Sequence, residues 1–110
     1  MASRVLVKEA LIIIGYSQSA ALALAEQNGD NDSARHTEAI SRLVFDLLYK
    51  NMHHDIKADA AQRLNSMHDL IQFTIENAEK KYKPEVIAEY AELQKLNLSR
   101  LATVINEWPA

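Results

Sequence analysis

Ile56, Ala60, Leu64, Met67, Ile71, Ile75, Ala78 and Tyr82 follow one another at intervals of three and four residues. That spacing brings all of them to one side of an α-helix and to no single face of a strand. A helix over about 55–82 cannot bury so long a stripe alone, so the rest of the chain must supply partners of matching length. Ile40, Leu43, Val44, Leu47 and Leu48 give a second helix over about 33–51. Val86, Ile87, Tyr90, Leu93, Leu98, Leu101, Val104, Ile105 and Trp108 give another over about 84–107. Punctuation is sparse, with only 2 Gly and 2 Pro in 110 residues, and Gly29, Pro84 and Pro109 fall at the edges of these stripes. Asn28-Gly29 suits a helix end closed in the left-handed conformation, and Asp32 or Ser33 would cap the helix that follows. Asp55 suits the start of the third helix and Lys80, Lys81 and Lys83 its C-terminal dipole. Pro84 opens the last helix, where a missing N–H is no loss, and Pro109 stops it. The fold class is therefore all-α, an antiparallel four-helix bundle with helices at about 5–27, 33–51, 55–82 and 84–107, forming one domain over residues 1–110.

The first of these helices needs a separate argument, because KEALIIIGYSQSAALALAEQ, Lys8 to Gln27, also has the outline of a secretory leader ending in Ala23-Leu24-Ala25. Its apolar run stops after Ile14, and Tyr16-Ser17-Gln18-Ser19 interrupt it, which argues against export. A membrane span wants roughly 20 predominantly apolar residues, and Glu9, Ser17, Gln18, Ser19 and Glu26 break that requirement. On a helical wheel Lys8, Glu9, Ser19, Glu26 and Gln27 share a narrow face, while Leu6, Ile13, Ile14, Ala21, Leu24 and Ala25 lie opposite. The wide apolar arc places this helix at the centre of the bundle or beneath a partner-binding groove. Lys8 to Gln27 should then be one continuous, mostly buried helix.

Charge and cysteine content narrow the functional classes. A net charge of -3 offers no basic footprint for nucleic acid or for an anionic membrane surface. With Cys at zero there is no zinc–thiolate site, disulfide framework or thiol nucleophile, a composition that fits a reducing cytoplasm. Met52-His53-His54-Asp55 is the most conspicuous polar cluster, but adjacent helical residues point about 100° apart, so His53 and His54 do not readily share a metal ion. The residues three before His36, His53, His54 and His68 are Ser33, Lys50, Asn51 and Asn65, so the Glu-x-x-His pairs of a di-iron bundle are absent. His54-Asp55-Ile56-Lys57-Ala58 is similar to part of the His-x-x-Lys-Gly signature of histidine phosphotransfer domains. Ala58 stands where that signature has Gly, and His54 falls at a helix junction. There is no Gly-x-Ser-x-Gly elbow and no Gly-rich phosphate loop. Asn97 reads as a polar residue at a partly exposed edge of the last helix, the alternative being a register-fixing or ligand-binding residue within its stripe. No cofactor, metal or catalytic residue is expected.

One order of features has a family counterpart. Ile12-Ile13-Ile14-Gly15-Tyr16-Ser17-Gln18-Ser19-Ala20 is followed by Ala21-Leu22-Ala23-Leu24-Ala25, then Gly29-Asp30, then Glu38-Ala39-Ile40-Ser41-Arg42. Ala60 to Leu64 and Leu70-Ile71 fall in the third helix, and Asn106-Glu107-Trp108 ends the fourth. This order resembles the flagellin export chaperones (FliS), small Cys-poor helical bundles of the bacterial cytoplasm. Gly15, Ser17 and Gln18 replace the family's Leu, Asp and Gly around Tyr16, and His53-His54-Asp55-Ile56 keeps only the Ile of its connection into the third helix. The resemblance implies a non-catalytic cytoplasmic chaperone. It would bind the C-terminal segment of flagellin, or of a flagellin-like export substrate, in an apolar inter-helix groove and prevent premature polymerisation. Ile13, Tyr16, Leu24, Leu47, Leu48 and Ile71 are the candidate partner-binding residues. The surplus of apolar positions in the first helix, with Phe45, Leu48 and Tyr49 off the main stripe of the second, is compatible with such a groove. The same residues would equally complete the core or form a homodimer face, as in a structural or regulatory bundle that inhibits another machine.

Overall fold

A computed structural model describes residues 4–49, 54–77, 80 and 83–108. They form α1 (Arg4–Asn28), α2 (Asn31–Tyr49), α3 (His54–Glu76) and α4 (Pro84–Asn106), with no strand among the described residues. The bundle measures 45 × 22 × 19 Å. α1 packs on α2 and α4, and α3 packs on the same two, so α1 and α3 share one diagonal and α2 and α4 the other. Short connections make successive helices antiparallel, giving the expected architecture.

The ends of the helices are set by local chemistry. Gly29 has φ 68°, the left-handed conformation that only glycine adopts without steric cost. Asp30 N–H then donates to the Ala25 carbonyl at 3.1 Å and Gly29 N–H to Glu26 at 3.0 Å, closing α1 with paired bonds to its last free carbonyls. The cap of α2 is Asp30, not Asp32 or Ser33: its Oδ1 accepts from the N–H groups of Asp32 (3.1 Å) and Ser33 (3.4 Å). α2 accordingly begins at Asn31, earlier than the expected start near residue 33. α3 stops at Glu76 rather than near Tyr82. At Asn77 the backbone N–H and the side-chain Nδ2 both donate to the Phe73 carbonyl, at 3.1 and 2.8 Å. Lys80 and Lys83 consequently lie beyond the last turn of α3, which contains no basic residue. Pro84 opens α4 as expected. Ala78, Lys81, Tyr82, Pro109 and the 50–53 connection with Met52 and His53 lie outside the described residues.

α1 is continuous, as the sequence predicts, but it is not mostly buried. Its inward seam is Val7, Leu11, Ile14, Gln18, Ala21, Ala25 and Asn28, alternating steps of four and three. Of the apolar arc expected to face the core, Ile14, Ala21 and Ala25 do so, Leu24 is half-buried, and Leu6 and Ile13 are exposed. α1 stands at a corner of the bundle rather than at its centre. A helix with two neighbours leaves its outer side in solvent whatever that side is made of. By length and mean hydropathy, the segment Leu6–Asn28 does reach what a membrane crossing needs, contrary to the reading of its polar interruptions. In this fold the same segment is packed against α2 and α4, with Gln18 and Asn28 hydrogen-bonded across the bundle.

Asn28 Oδ1 accepts the Lys83 N–H at 3.0 Å, clasping the end of α1 to the start of α4. On the opposite side, Arg63 Nη1 meets Asp46 Oδ2 at 2.9 Å and ties α3 to α2. Asp30→Ala should lower unfolding stability by about 1 kcal/mol, with Asp32→Ala distinctly milder. Equal losses in urea titrations would contradict the cap assignment.

Candidate functional site

A polar chain runs through the middle of an otherwise apolar core. The amides of Gln18 on α1 and Gln94 on α4 pair reciprocally, each Nε2 donating to the other's Oε1 at 3.1 and 2.9 Å. Gln94 Nε2 also reaches Thr37 Oγ1 on α2 at 3.3 Å, and its Oε1 accepts from Asn97 Nδ2 at 3.1 Å. Thr37 donates to the Ser33 carbonyl at 2.9 Å and lies 3.1 Å from the Tyr90 hydroxyl. His36 Nδ1 is 2.9 Å from that hydroxyl, and its Nε2 is 3.2 Å from the Met67 carbonyl of α3. All four helices are therefore joined by side chains that are themselves buried. Within the fold such a chain costs little, because each pairing replaces hydrogen bonds to water.

Tyr90 is the hinge of this chain. Its single hydroxyl hydrogen is claimed both by the Ser33 carbonyl, 2.9 Å away, and by His36 Nδ1 whenever that nitrogen carries no proton. The Nε2–H tautomer of His36 serves Met67 and draws the Tyr90 hydrogen, leaving Thr37 to serve Ser33. Burial pushes the His36 pKa below its usual 6.5, partly opposed by the bond to Met67. Burial also raises that of Tyr90, against hydrogen bonds from Thr37 and Gln94.

The surface above this core is apolar over much of α1. Leu6, Ile12, Ile13 and Tyr16 are exposed, with Ile13 at 57% and Tyr16 at 76%. Between α1 and α4 lies a groove lined by Leu6, Ala10, Ile13, Thr103 and Val104, with Arg100 and Glu107 also on its wall. A second depression, between α1 and α2, is more polar and includes Ser19, Arg35 and Glu38. At the C-terminal end of α2 the Phe45 and Tyr49 rings meet with centroids 4.6 Å apart and planes tilted by 43°, while both stay exposed. Gly15 of α1 faces Val44 of α2, so this aromatic pair lies toward the end of the bundle that holds Ile12 and Ile13.

The six candidate partner-binding residues do not form one surface. Ile13 and Tyr16 are on the outside of α1, and Leu24 and Leu48 are half-buried against the core. Leu47 and Ile71 are 2% and 3% exposed and belong to the core itself, because the inward seams of α2 and α3 run through them. In the third helix Ala60, Leu64 and Ile71 are core, but Leu70 is exposed. Asn97, expected at an exposed edge, is at 0%. Its Oδ1 finds no partner among the described residues. Gln18, His36, Thr37 and Gln94 were not legible as core residues from hydrophobicity. Gln18 could have been found by its place in the Leu11, Ile14, Ala21, Ala25 series. His54 opens α3, and among the described residues no three His, Cys, Asp or Glu side chains gather as metal ligands would.

Comparison with protein-family models, with curated proteins and with solved structures found no match to this chain.

Two measurements probe the polar chain. Gln18→Leu should cost about 1–3 kcal/mol in chemical denaturation, because it strips Gln94 of its reciprocal partner inside the core. For His36 the folded pKa lies below the unfolded one, so its contribution is complete above 6.5 and is lost as pH falls through the lower folded value. Stability should therefore decline with acidification below 6.5, and His36→Gln should flatten that decline. An unchanged slope in the variant would locate the titration elsewhere.

Proposed function

We propose that this protein is a non-catalytic chaperone of the cytoplasm that holds an amphipathic helical segment of a client along α1. The client we favour is flagellin, or a flagellin-like export substrate. The observation that carries the reading is the groove between α1 and α4, apolar along Leu6, Ala10, Ile13 and Val104 and flanked by one positive and one negative side chain, Arg100 and Glu107. An amphipathic helix lays residues at i, i+3, i+4 and i+7 into such a groove and keeps its polar side outward. Holding the segment there hides the apolar side chains through which subunits would otherwise associate. The resemblance of the Ile12–Ala25 and Glu38–Arg42 segments to flagellin export chaperones supports the choice of client. A rigid core suits this role, since the binding surface belongs to helices fixed by the chain of buried amides and hydroxyls.

The test uses purified flagellin monomer. The wild-type protein should retain it on size-exclusion chromatography and delay its polymerisation in light scattering. Ile13→Asp, with helicity unchanged because Ile13 is exposed, should weaken retention by roughly tenfold or more. Absence of both retention and delay with the wild-type protein would remove flagellin as the client.

A further inference from the structure

α1 carries a second repeat, on its outer side. Glu9, Ile13, Tyr16, Ala20, Ala23 and Gln27 succeed one another in steps of four and three, the rhythm of the buried seam, and every one of them is exposed. In its middle two large apolar side chains, Ile13 and Tyr16, and two small ones, Ala20 and Ala23, lie in line, an arrangement against which another helix can pack. The face is also graded. Large side chains, Ile13 and Tyr16, occupy its N-terminal half, the small Ala20 and Ala23 its C-terminal half, and a polar residue closes each end.

We propose that the occupant of this face is a second copy of the chain, with the two α1 helices antiparallel about a two-fold axis midway between Tyr16 and Ala20. In that register Ile13 lies over Ala23 of the mate, Tyr16 over Ala20, and the Glu9 carboxylate opposite the Gln27 amide, which can donate to it. One axis satisfies all these pairs together, and each large side chain enters the hollow left by a small one. A parallel mate fails on the same residues: Glu9 would oppose Glu9, Tyr16 would crowd Tyr16, and alanine would face alanine across a void. Charge also favours self-pairing here. The chain carries a net -3, yet this face holds one ionised residue, Glu9, at its margin. Ser17 and Ser19, which flank the axis, are small enough to let the backbones approach. Ile13 lies both on this face and in the α1–α4 groove, so a mate and a client would compete for it.

The chain has no cysteine, so introduced thiols report position without interference. Ile13→Cys protein mixed with Ala23→Cys protein should give inter-chain disulfides on mild oxidation, as should Tyr16→Cys mixed with Ala20→Cys. Ile13→Cys alone should not, because its two copies would stand roughly 15 Å apart along the helix axes. Sedimentation equilibrium should show a dimer for the wild type, with Ala23→Glu weakening association by roughly tenfold at unchanged circular dichroism. A wild-type monomer at every concentration, cross-linking of Ile13→Cys to itself, or undiminished association of Ala23→Glu would each overturn the proposal. None of these outcomes involves flagellin.

Discussion

The reciprocal amide pair of Gln18 and Gln94 sets the constraint to which the rest of the bundle answers. Leucine-rich seams slide past one another with little change in energy, since one methyl group packs much like the next. An amide pair does not tolerate this: moving α1 against α4 by a single turn would leave two buried carboxamides without partners, at a cost comparable to a large share of a small domain's stability. Because Gln94 also holds Thr37 and Asn97, and Tyr90 passes the connection on to His36 and the backbone of α3, fixing one pair fixes all four helices. Buried polar groups are well attested as devices for register in helical assemblies.

This constraint also separates what the amino-acid sequence revealed from what it hid. Helix number, order and approximate limits were readable because apolar residues spaced by three and four can bury only on one side of a helix. Gly29 and Pro84 also act through backbone geometry that needs no neighbours. The departures have a common source. Apolar character suggests burial, which points Leu6 and Ile13 inward and makes Gln18 an interruption. In the fold, position within the heptad decides burial, and Gln18 occupies a core position because a partner waits for it on another helix. Such pairings depend on residues far apart in the chain, 76 positions in this case. Local spacing cannot supply them. The apolar period likewise continues to Tyr82, whereas α3 ends at Glu76 and the next residue, Asn77, turns its side chain back onto the Phe73 carbonyl.

The candidate partner-binding residues divide between surface and core. Ile13 and Tyr16 lie where a partner could reach them, whereas Leu47 and Ile71 satisfy the core. Their different fates follow from the square arrangement of helices. Leu47 and Ile71 stand on the sides of α2 and α3 that face the core, whereas Ile13 and Tyr16 stand on the side of α1 turned away from α2 and α4. Exposed apolar side chains grouped on one helix face are costly in solubility.

The clasp between Asn28 and the backbone of Lys83 has a consequence for motion. The last residue of α1 and the first turn of α4 share a hydrogen bond although 55 residues separate them in the chain. Helix ends ordinarily fray on their own, each at little cost. Here the unwinding of one terminus would strip the other of its acceptor, so the two should open as one event. The end of the bundle holding Gly29 and Pro84 would then behave as a closed seam, and slow fluctuation would be confined to the opposite end, where the exposed aromatic pair of α2 and the apolar residues of α1 lie.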